Sequence, residues 1–100
     1  MNKIRICGYT YRVVFEQEPI IYDNELCEGY CDNVRQIIQV AGGMGHDRTR
    51  HILLHEIVHA IYHIFGDRAE WNQECVCDLV TSGTLQVLKD NPMWAEWFLT

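Results

Sequence analysis

The sequence predicts an α+β fold in which a small N-terminal antiparallel or mixed β-sheet is followed by two packed helices. Apolar and polar residues alternate in the first forty positions, as in strands that bury one face. From residue 47 onward the apolar residues recur at helical spacing. The chain has 100 residues, of which 48% are hydrophobic, so we expect one domain over residues 1–100 with a single core.

The strands are expected between residues 3 and 40. Residues 3–17 have the pattern of a hairpin, because apolar residues alternate with polar ones on both sides of Gly8. Residues 29–33 have the pattern of a strand that enters a turn. Residues 36–40 are predicted to form a further strand, which the following glycine cluster ends.

Two helices are expected after the strands. The first spans about residues 47–65, with Asp47 as its N-cap and Gly66 as its stop signal. The second spans about residues 68–89 and ends before an Asn-Pro pair. The C-terminal segment, residues 91–100, is too apolar for a free tail and is expected to pack on the domain.

The first helix contains the motif HExxH, formed by His55, Glu56 and His59. Residues four apart lie one turn apart on the same helix face, so both imidazoles can reach one metal ion. Glu56 lies about 100° around the helix from His55, where its carboxylate can address a water at the metal without binding the metal itself. The spacing indicates a zinc site with Glu56 as the catalytic base.

The apolar residues of this helix, from Leu53 to Phe65, are expected to face the core over an arc of about 140° to 300° from His55. Catalytic zinc usually takes three protein ligands, and no histidine follows His63. Either the third ligand is then acidic, or there is none. The candidates after the motif are Asp67, Glu70, Glu74, Asp78, Asp90 and Glu96.

The two motif histidines, followed by Glu74 and Asp78 in an ExxxD pattern, resemble the HExxH…ExxxD signature of gluzincin metallopeptidases. The strand-rich start and the ending at residues 87–92 look like small phage-encoded metallopeptidases and, more distantly, ImmA/IrrE-type proteins. The resemblance implies a minimal zincin-like domain with Glu74 as the third zinc ligand. It implies that Asp78 orients a ligating histidine from the second shell. Gln73 stands where thermolysin-like relatives carry Asn, which leaves the substrate contact of that Asn without a counterpart.

The predicted function is zinc-dependent hydrolysis of a peptide bond, with a peptide or protein as substrate. The strand at residues 36–40 directly precedes the metal helix, and an extended substrate could pair with it if it lies at the sheet edge. The alternative is a catalytically silent binding or structural module that keeps zinc for stability and acts through its apolar C-terminal segment. An intact Glu56 argues against this alternative, because a purely structural site does not need a base.

Charge and hydropathy exclude several other classes. The formal net charge of −6 disfavours general nucleic-acid binding, because an acidic surface repels phosphates. No apolar run approaches the roughly 18 residues of a membrane span. The start lacks the apolar stretch of a signal peptide, so we expect a cytoplasmic protein, in the host cytoplasm if a phage encodes it. The oligomeric state is not predicted.

Other residues with metal or catalytic chemistry receive a structural interpretation. The odd number of cysteines favours buried thiols over disulfides, and the sequence Cys75-Val76-Cys77 directs its two thiols about 200° apart on a helix. A four-thiolate zinc site is therefore disfavoured. His51 and His63 diverge from the ligand pair and are read as rim or solvent residues. Three tyrosines are candidates for an oxyanion donor, although packing is the preferred reading: Tyr22, Tyr30 and Tyr62.

Overall fold

The computed structural model describes residues 2–65 and 73–100, with only the backbone of residues 73 and 74. The predicted α+β order is confirmed, since the described strands precede the helices. The strands are β1 (Lys3–Ile6), β2 (Tyr9–Phe15), β3 (Ile20–Tyr22), β4 (Glu25–Cys27), β5 (Gly29–Asp32) and β6 (Ile37–Val40), and the helices are α1 (His46–Phe65), α2 (Gln73–Asp90) and α3 (Pro92–Leu99). The predicted helix start at residue 68 and stop signal at Gly66 lie outside the described residues.

The first two strands form the predicted hairpin. They pair antiparallel, and the two residues between them, Cys7 and Gly8, have φ angles of 46° and 93°. Positive φ at both central positions is typical of a type I′ turn, whose twist matches the twist of paired strands. Glycine adopts this conformation without a steric penalty, which is why Gly8 marks the turn.

The four-stranded sheet has the order β1-β2-β6-β5. Strands β2 and β6 are parallel, whereas the other two pairs are antiparallel. Strand β6 therefore lies inside the sheet, so the condition under which an extended substrate could pair with it, a position at the sheet edge, is not met. Both of its edges are already hydrogen-bonded, because the chain runs out to β5 and then returns between β5 and β2. The edge strands of this sheet are β1 and β5.

A second hairpin, β3–β4, was not predicted. Its two-residue turn consists of Asp23 and Asn24, with φ angles of 53° and 64°, and these are residue types that tolerate the left-handed region. Tyr22 stacks on Tyr30 of β5 with ring centroids 4.6 Å apart. This contact holds the hairpin against the sheet.

Helix α1 begins at His46, one residue earlier than expected, so Asp47 lies in the first turn and is not the N-cap. The carbonyl of Gly45 accepts hydrogen bonds from the Thr49 backbone N–H at 3.0 Å and from Thr49 Oγ1 at 2.9 Å. The first helical hydrogen bond is thus already made by Gly45, immediately before the helix. The described part of α1 extends to Phe65, and because the residues that follow lie outside the described ranges, the predicted end of this helix stays a prediction. None of the helices in the described ranges is long and apolar enough to span a bilayer.

The core lies between the sheet and α1. Its sheet side and its helix side share one cluster of buried residues: Ile4, Ile6, Tyr11, Val13, Ile38, Val40, Ile52, Leu53, Ile57, Ala60, Ile61, Val87 and Trp94. The buried residues of α1 cover an arc of about 60° to 240° from His55, which differs from the expected arc. Glu56 is consequently buried, whereas Leu54 and Phe65 are 40% and 42% exposed.

The C-terminal segment packs on the domain, as predicted, and forms α3. Trp94 is 3% exposed, and its indole N–H donates to the carbonyl of Lys3 at 2.7 Å. Just before α3, the Asn91 side chain accepts from the backbone N–H of Arg5 at 2.8 Å. The same side chain donates to the Arg5 carbonyl and to the Val87 carbonyl, both at 2.7 Å. Edge strand β1 is therefore tied to the junction of α2 and α3.

We predict that Tyr11 makes stability fall at alkaline pH. Tyr11 is 1% exposed, its hydroxyl donates to Asn33 Oδ1 at 2.8 Å, and burial raises its pKa to about 12. An unfolded tyrosine titrates near pH ~10, so between about pH 10 and 12 only the unfolded state loses this proton. The free energy of unfolding should decrease by roughly 2 kcal/mol over this window.

The check is urea denaturation of the wild type and of Tyr11→Phe at a series of pH values. The variant should lose about 1 kcal/mol at neutral pH with its hydrogen bond, and should show a flatter decline above pH ~10. Tyr9→Phe, at a half-exposed position, is the matched control. An unchanged slope in Tyr11→Phe would contradict the prediction.

Candidate metal centre

The two motif histidines converge on one point beside α1. His55 and His59 are exposed, and their Nε2 atoms lie 3.1 Å apart. The rings meet edge to face, with centroids 4.7 Å apart and an interplanar angle of 76°. The predicted pairing of the two imidazoles on one helix face is confirmed.

This separation fits two ligands of one tetrahedral zinc ion. With Zn–N distances of about 2.0–2.1 Å, two ligand nitrogens lie about 3.3 Å apart. The observed distance also suits a hydrogen bond in which one neutral imidazole donates to the other. The geometry of the pair therefore suits either a shared metal ion or a hydrogen bond between the two imidazoles, and a measurement of metal binding distinguishes these two interpretations.

Glu56 lies beside the histidine pair but points into the core side of α1. Its side chain is 7% exposed, and no other charged residue among the described positions is buried. Burial raises the pKa of Glu56 above the usual carboxyl range, while the neighbouring His59 and His55 act in the opposite direction. Desolvation of this kind is how proteins make a carboxylate a stronger base.

The space for Glu56 comes from a glycine in β5. A Cβ atom at Gly29 would lie 2.6 Å from Ile52 Cγ2 and 3.1 Å from both Cγ and Oε2 of Glu56. The backbone of the edge strand thus approaches α1 so closely that only glycine fits without displacement. This contact fixes where the Glu56 carboxylate sits, and the sequence analysis did not single out Gly29.

Cys31 is a second residue near Glu56 that the sequence analysis did not select. It follows Gly29 by two positions in β5, so both residues lie on the strand face toward α1. Burial, with contributions from Glu56 and Asp32, raises the pKa of the Cys31 thiol to about 12. Its Sγ lies 3.3 Å from Asn33 Oδ1. The predicted burial of the thiols is nevertheless wrong in part, because Cys7, Cys27 and Cys31 are only partly buried and Cys75 and Cys77 are exposed. None of the five cysteines forms a disulfide.

An ion pair joins the start of β5 to the first turns of α1. Arg48 Nε donates to Glu28 Oε2 at 2.8 Å, and Arg48 Nη2 donates to Glu28 Oε1 at 2.6 Å. Hydrogen bonding from Arg48 lowers the pKa of Glu28. The bidentate geometry orients two planar groups, so the pair aligns β5 with α1 even though both side chains are half-exposed.

The acidic ligands predicted from the sequence are only partly described. Glu74 lies in the first turn of α2, but its side chain is outside the described part of the structure, as are Asp67 and Glu70. Asp78 is exposed on α2, and no hydrogen bond joins it to either described imidazole. Within the described ranges, no group of three or more His, Cys, Asp or Glu side chains is arranged to hold a metal ion. The assignments of Glu74 and Asp78 stay predictions.

The contact between the two helices lies away from the histidine pair. A Cβ at Gly83 of α2 would lie 2.7 Å from Ile61 Cγ2, and Ile61 points about 160° around α1 from His59. Glu74 precedes Gly83 by nine residues, or about 13 Å along the helix axis. The Gly83–Ile61 contact therefore does not by itself place Glu74 near the imidazoles.

The remaining candidate histidines and tyrosines differ in where they lie relative to the histidine pair. His51 and His63 are exposed, in agreement with a rim location. Tyr22 and Tyr30 stack on each other, and Tyr30 alternates with the α1-facing residues of β5, so both lie on the opposite sheet face. Tyr62 lies three residues after His59, on the same side of α1, and is the tyrosine of the three that is placed near the pair.

The two late acidic candidates lie at the C-terminal end of the domain. Asp90 accepts a hydrogen bond from Gln86 Nε2 at 2.9 Å at the end of α2, and Glu96 is exposed on α3.

In comparisons with known proteins, no family model, no curated protein and no solved structure matches the chain. The function is therefore inferred from the residues of the site and their geometry.

We predict that Gly29→Ala destabilises the domain by about 1–3 kcal/mol, because the added methyl group overpacks the contact with Ile52 and Glu56. Ile52→Ala removes the Cγ2 atom that the new Cβ would strike. The double variant should therefore lose less stability than the sum of the two single variants. Urea denaturation of the four proteins measures this coupling. Additive losses would mean that Gly29 does not serve this close approach.

Proposed function

We propose that the protein is a zinc-dependent peptide hydrolase in which His55 and His59 bind the metal. The observation that carries the proposal is the 3.1 Å separation of their Nε2 atoms, with a buried glutamate between the two histidines in sequence. Glu74 supplies the third ligand in this proposal, and Asp78 orients a ligating imidazole. The support for these two acids is the sequence pattern.

The two histidines and Glu56 have different tasks in this proposal. His55 and His59, as neutral imidazoles, hold the ion from one helix face. Bound zinc supplies Lewis acidity that polarises the scissile carbonyl and acidifies a water molecule. Glu56 takes the proton of the attacking water and passes it to the leaving amine. The close packing of Gly29 and Ile52 keeps the Glu56 carboxylate in one place while it does so.

Strand β5 is the element best placed to receive an extended substrate. It pairs with β6 on one side, and within the described sheet its other edge has no partner strand. It also packs on α1, where Gly29 touches Glu56. A peptide that adds to this edge would run past the helix that carries the base. In this proposal the substrate therefore pairs with residues 29–32, and not with residues 36–40.

The competing function is a binding module that keeps zinc for stability. Both functions use the same histidine pair, so metal binding alone does not separate them. A base held in a desolvated position beside a solvent-facing metal pair favours hydrolysis, because a structural zinc site closes with a fourth ligand and has no use for the base. A cytoplasmic location, where the cysteines stay reduced, belongs to the same proposal.

We predict one zinc ion per chain, which His55→Ala or His59→Ala abolishes. The measurement is elemental analysis and a zinc titration against a chromophoric chelator, after the protein has been stripped of metal. His51→Ala is the matched control, because it removes an exposed histidine one turn away on α1. Less than half an equivalent in the wild type after zinc addition would contradict the metal site.

The same titration assigns the two acids of α2. Glu74→Gln should abolish tight binding, because it removes a direct ligand. Asp78→Asn should weaken binding about tenfold to a hundredfold, as for other residues that hydrogen-bond a metal ligand. If Asp78→Asn abolishes binding while Glu74→Gln leaves it intact, the roles of the two acids are exchanged.

We predict that Glu56→Gln keeps zinc and fold but slows cleavage at least about a hundredfold, because a positioned base contributes typically 10²–10⁴-fold. The amide has nearly the same shape as the carboxylate, so the melting temperature should not fall. A peptide library with mass-spectrometric detection supplies the substrate, and Glu96→Gln is the matched control on an exposed helix position. If the wild type cleaves nothing and Glu56→Gln binds the same peptides equally well, the binding module replaces the hydrolase.

A further inference from the structure

The outer face of the sheet carries a concentration of positive charge. The residues that form it, called here the basic face, are exposed side chains on β1, on β2 and in the turn before β6: Lys3, Arg5, Arg12 and Arg35. The whole chain has eight Lys and Arg residues and a net charge of −6. Half of the positive side chains thus lie on one small surface of an acidic protein.

The register of β1 and β2 places two of these cations directly against each other. Lys3 is the cross-strand partner of Arg12, and like charges at directly opposed positions destabilise a strand pair. The next residue across the sheet from Arg12 is Ile37, which supplies no counter-charge. Neither Lys3 nor Arg12 forms an ion pair with a described residue. The fold therefore maintains a repulsive pair that no described residue neutralises.

The acidic residue closest in register is already engaged. Asp32 lies beyond Ile37 on edge strand β5, and its carboxylate forms an ion pair with Arg35 at 3.8 Å. The same carboxylate accepts hydrogen bonds from the backbone N–H groups of Val34 and Arg35 at 3.1 and 3.0 Å. The Asp32 carboxylate thus stabilises the turn between β5 and β6, and it does not neutralise the positive charges of Lys3 and Arg12.

A shallow cavity of about 400 Å³ lies between these cations. Its lining combines charged and neutral hydrogen-bonding side chains with one apolar residue: Lys3, Thr10, Arg12, Arg35, Gln36 and Ile37. At its margin, Arg5 Nη1 donates to Thr10 Oγ1 at 3.3 Å. Guanidinium groups offer paired N–H donors that match the two oxygens of a carboxylate, so the cavity suits carboxylate side chains.

We propose that the basic face binds an acidic peptide segment of a partner protein. The charge of such a segment neutralises the opposed Lys3–Arg12 pair, and its carboxylates take the guanidinium donors of Arg12 and Arg35. The basic face is local, and surface charges interact over about 8 Å at physiological salt. A short acidic segment therefore experiences the cations and little of the net negative charge elsewhere.

Two other occupants fit the surface less well. The lining of the cavity contains no aromatic side chain on which a base could stack, and the net charge of −6 repels a long phosphate backbone. A second copy of the chain would have to present a different, acidic surface to the basic face. Such a heterologous contact builds open chains unless its rotation closes a ring.

The inference stands apart from the proposed hydrolase. Lys3, Arg5 and Arg12 alternate with Ile4, Ile6, Tyr11 and Val13, which face α1 and the core. The basic face is thus on the side of the sheet opposite the histidine pair. Loss of zinc binding or of cleavage would leave this inference untouched, and the reverse also holds.

The test is fluorescence anisotropy with a labelled peptide of alternating Glu and Gly, and with the matching Gln and Gly peptide. The Glu peptide should bind, the Gln peptide should not, and binding should weaken as salt is raised. Arg12→Gln should weaken binding about threefold to fivefold, and Lys3→Gln/Arg12→Gln about tenfold. Lys89→Gln, which removes an exposed positive charge at the end of α2, is the matched control and should bind like the wild type.

Melting curves of the same proteins distinguish a docking role from a structural one. Lys3→Gln/Arg12→Gln should keep or raise the melting temperature, because it removes a repulsion. The inference is overturned if this variant binds the Glu peptide as well as the wild type does, or if Lys89→Gln weakens binding equally. It is also overturned if a ten-nucleotide single strand binds more tightly than the peptide, or if the wild type sediments as a dimer that the double variant abolishes.

Discussion

The close packing of α1 on the sheet is the contact on which the rest of the structure depends. Strand β5 can approach the helix because Gly29 has no side chain, and this approach buries Glu56 beside Ile52. The same rotation of α1 that buries Glu56 leaves His55 and His59 facing outward with their Nε2 atoms together. The packing of α1 on β5 thus places a desolvated carboxylate beside a solvent-facing histidine pair.

The other end of the domain is held by polar contacts to an edge strand. Asn91 bonds both backbone groups of Arg5, and Trp94 donates to the carbonyl of Lys3, so β1 has partners on the side that lacks a neighbouring strand. Satisfying an exposed strand edge in this way limits unwanted pairing with other chains. Within the described sheet, β5 is the other edge strand, and it lies next to α1.

The two faces of the sheet have different chemistry. The face toward α1 is largely apolar and packs against the helix that carries Glu56. The outer face carries Lys3, Arg5 and Arg12 in an otherwise acidic chain. Strand alternation produces this division, because successive side chains of β1 and β2 point to opposite sides. A substrate at β5 and an acidic partner on the basic face would therefore not compete for the same surface.

Features with a local cause could be predicted from the sequence. The turn at Gly8 and the convergence of His55 and His59 each depend on a few neighbouring residues and on a fixed periodicity. The type I′ turn at Asp23 and Asn24 had a local signal as well, since both residue types tolerate positive φ. That signal was missed because the flanking strands have only three residues each.

The remaining features depend on which elements meet, and no local pattern encodes that. Strand β6 has the pattern of any buried strand, and only the return of the chain from β5 places it inside the sheet. The burial of Glu56 and the need for glycine at position 29 follow from the rotation of α1 against β5, a contact between residues far apart in sequence. The basic face likewise exists because the strand register places Lys3 against Arg12. The sequence by itself determined the elements and the histidine pair, whereas the tertiary structure decided the edge strand, the burial of Glu56 and the charged surface, because these arise from long-range packing.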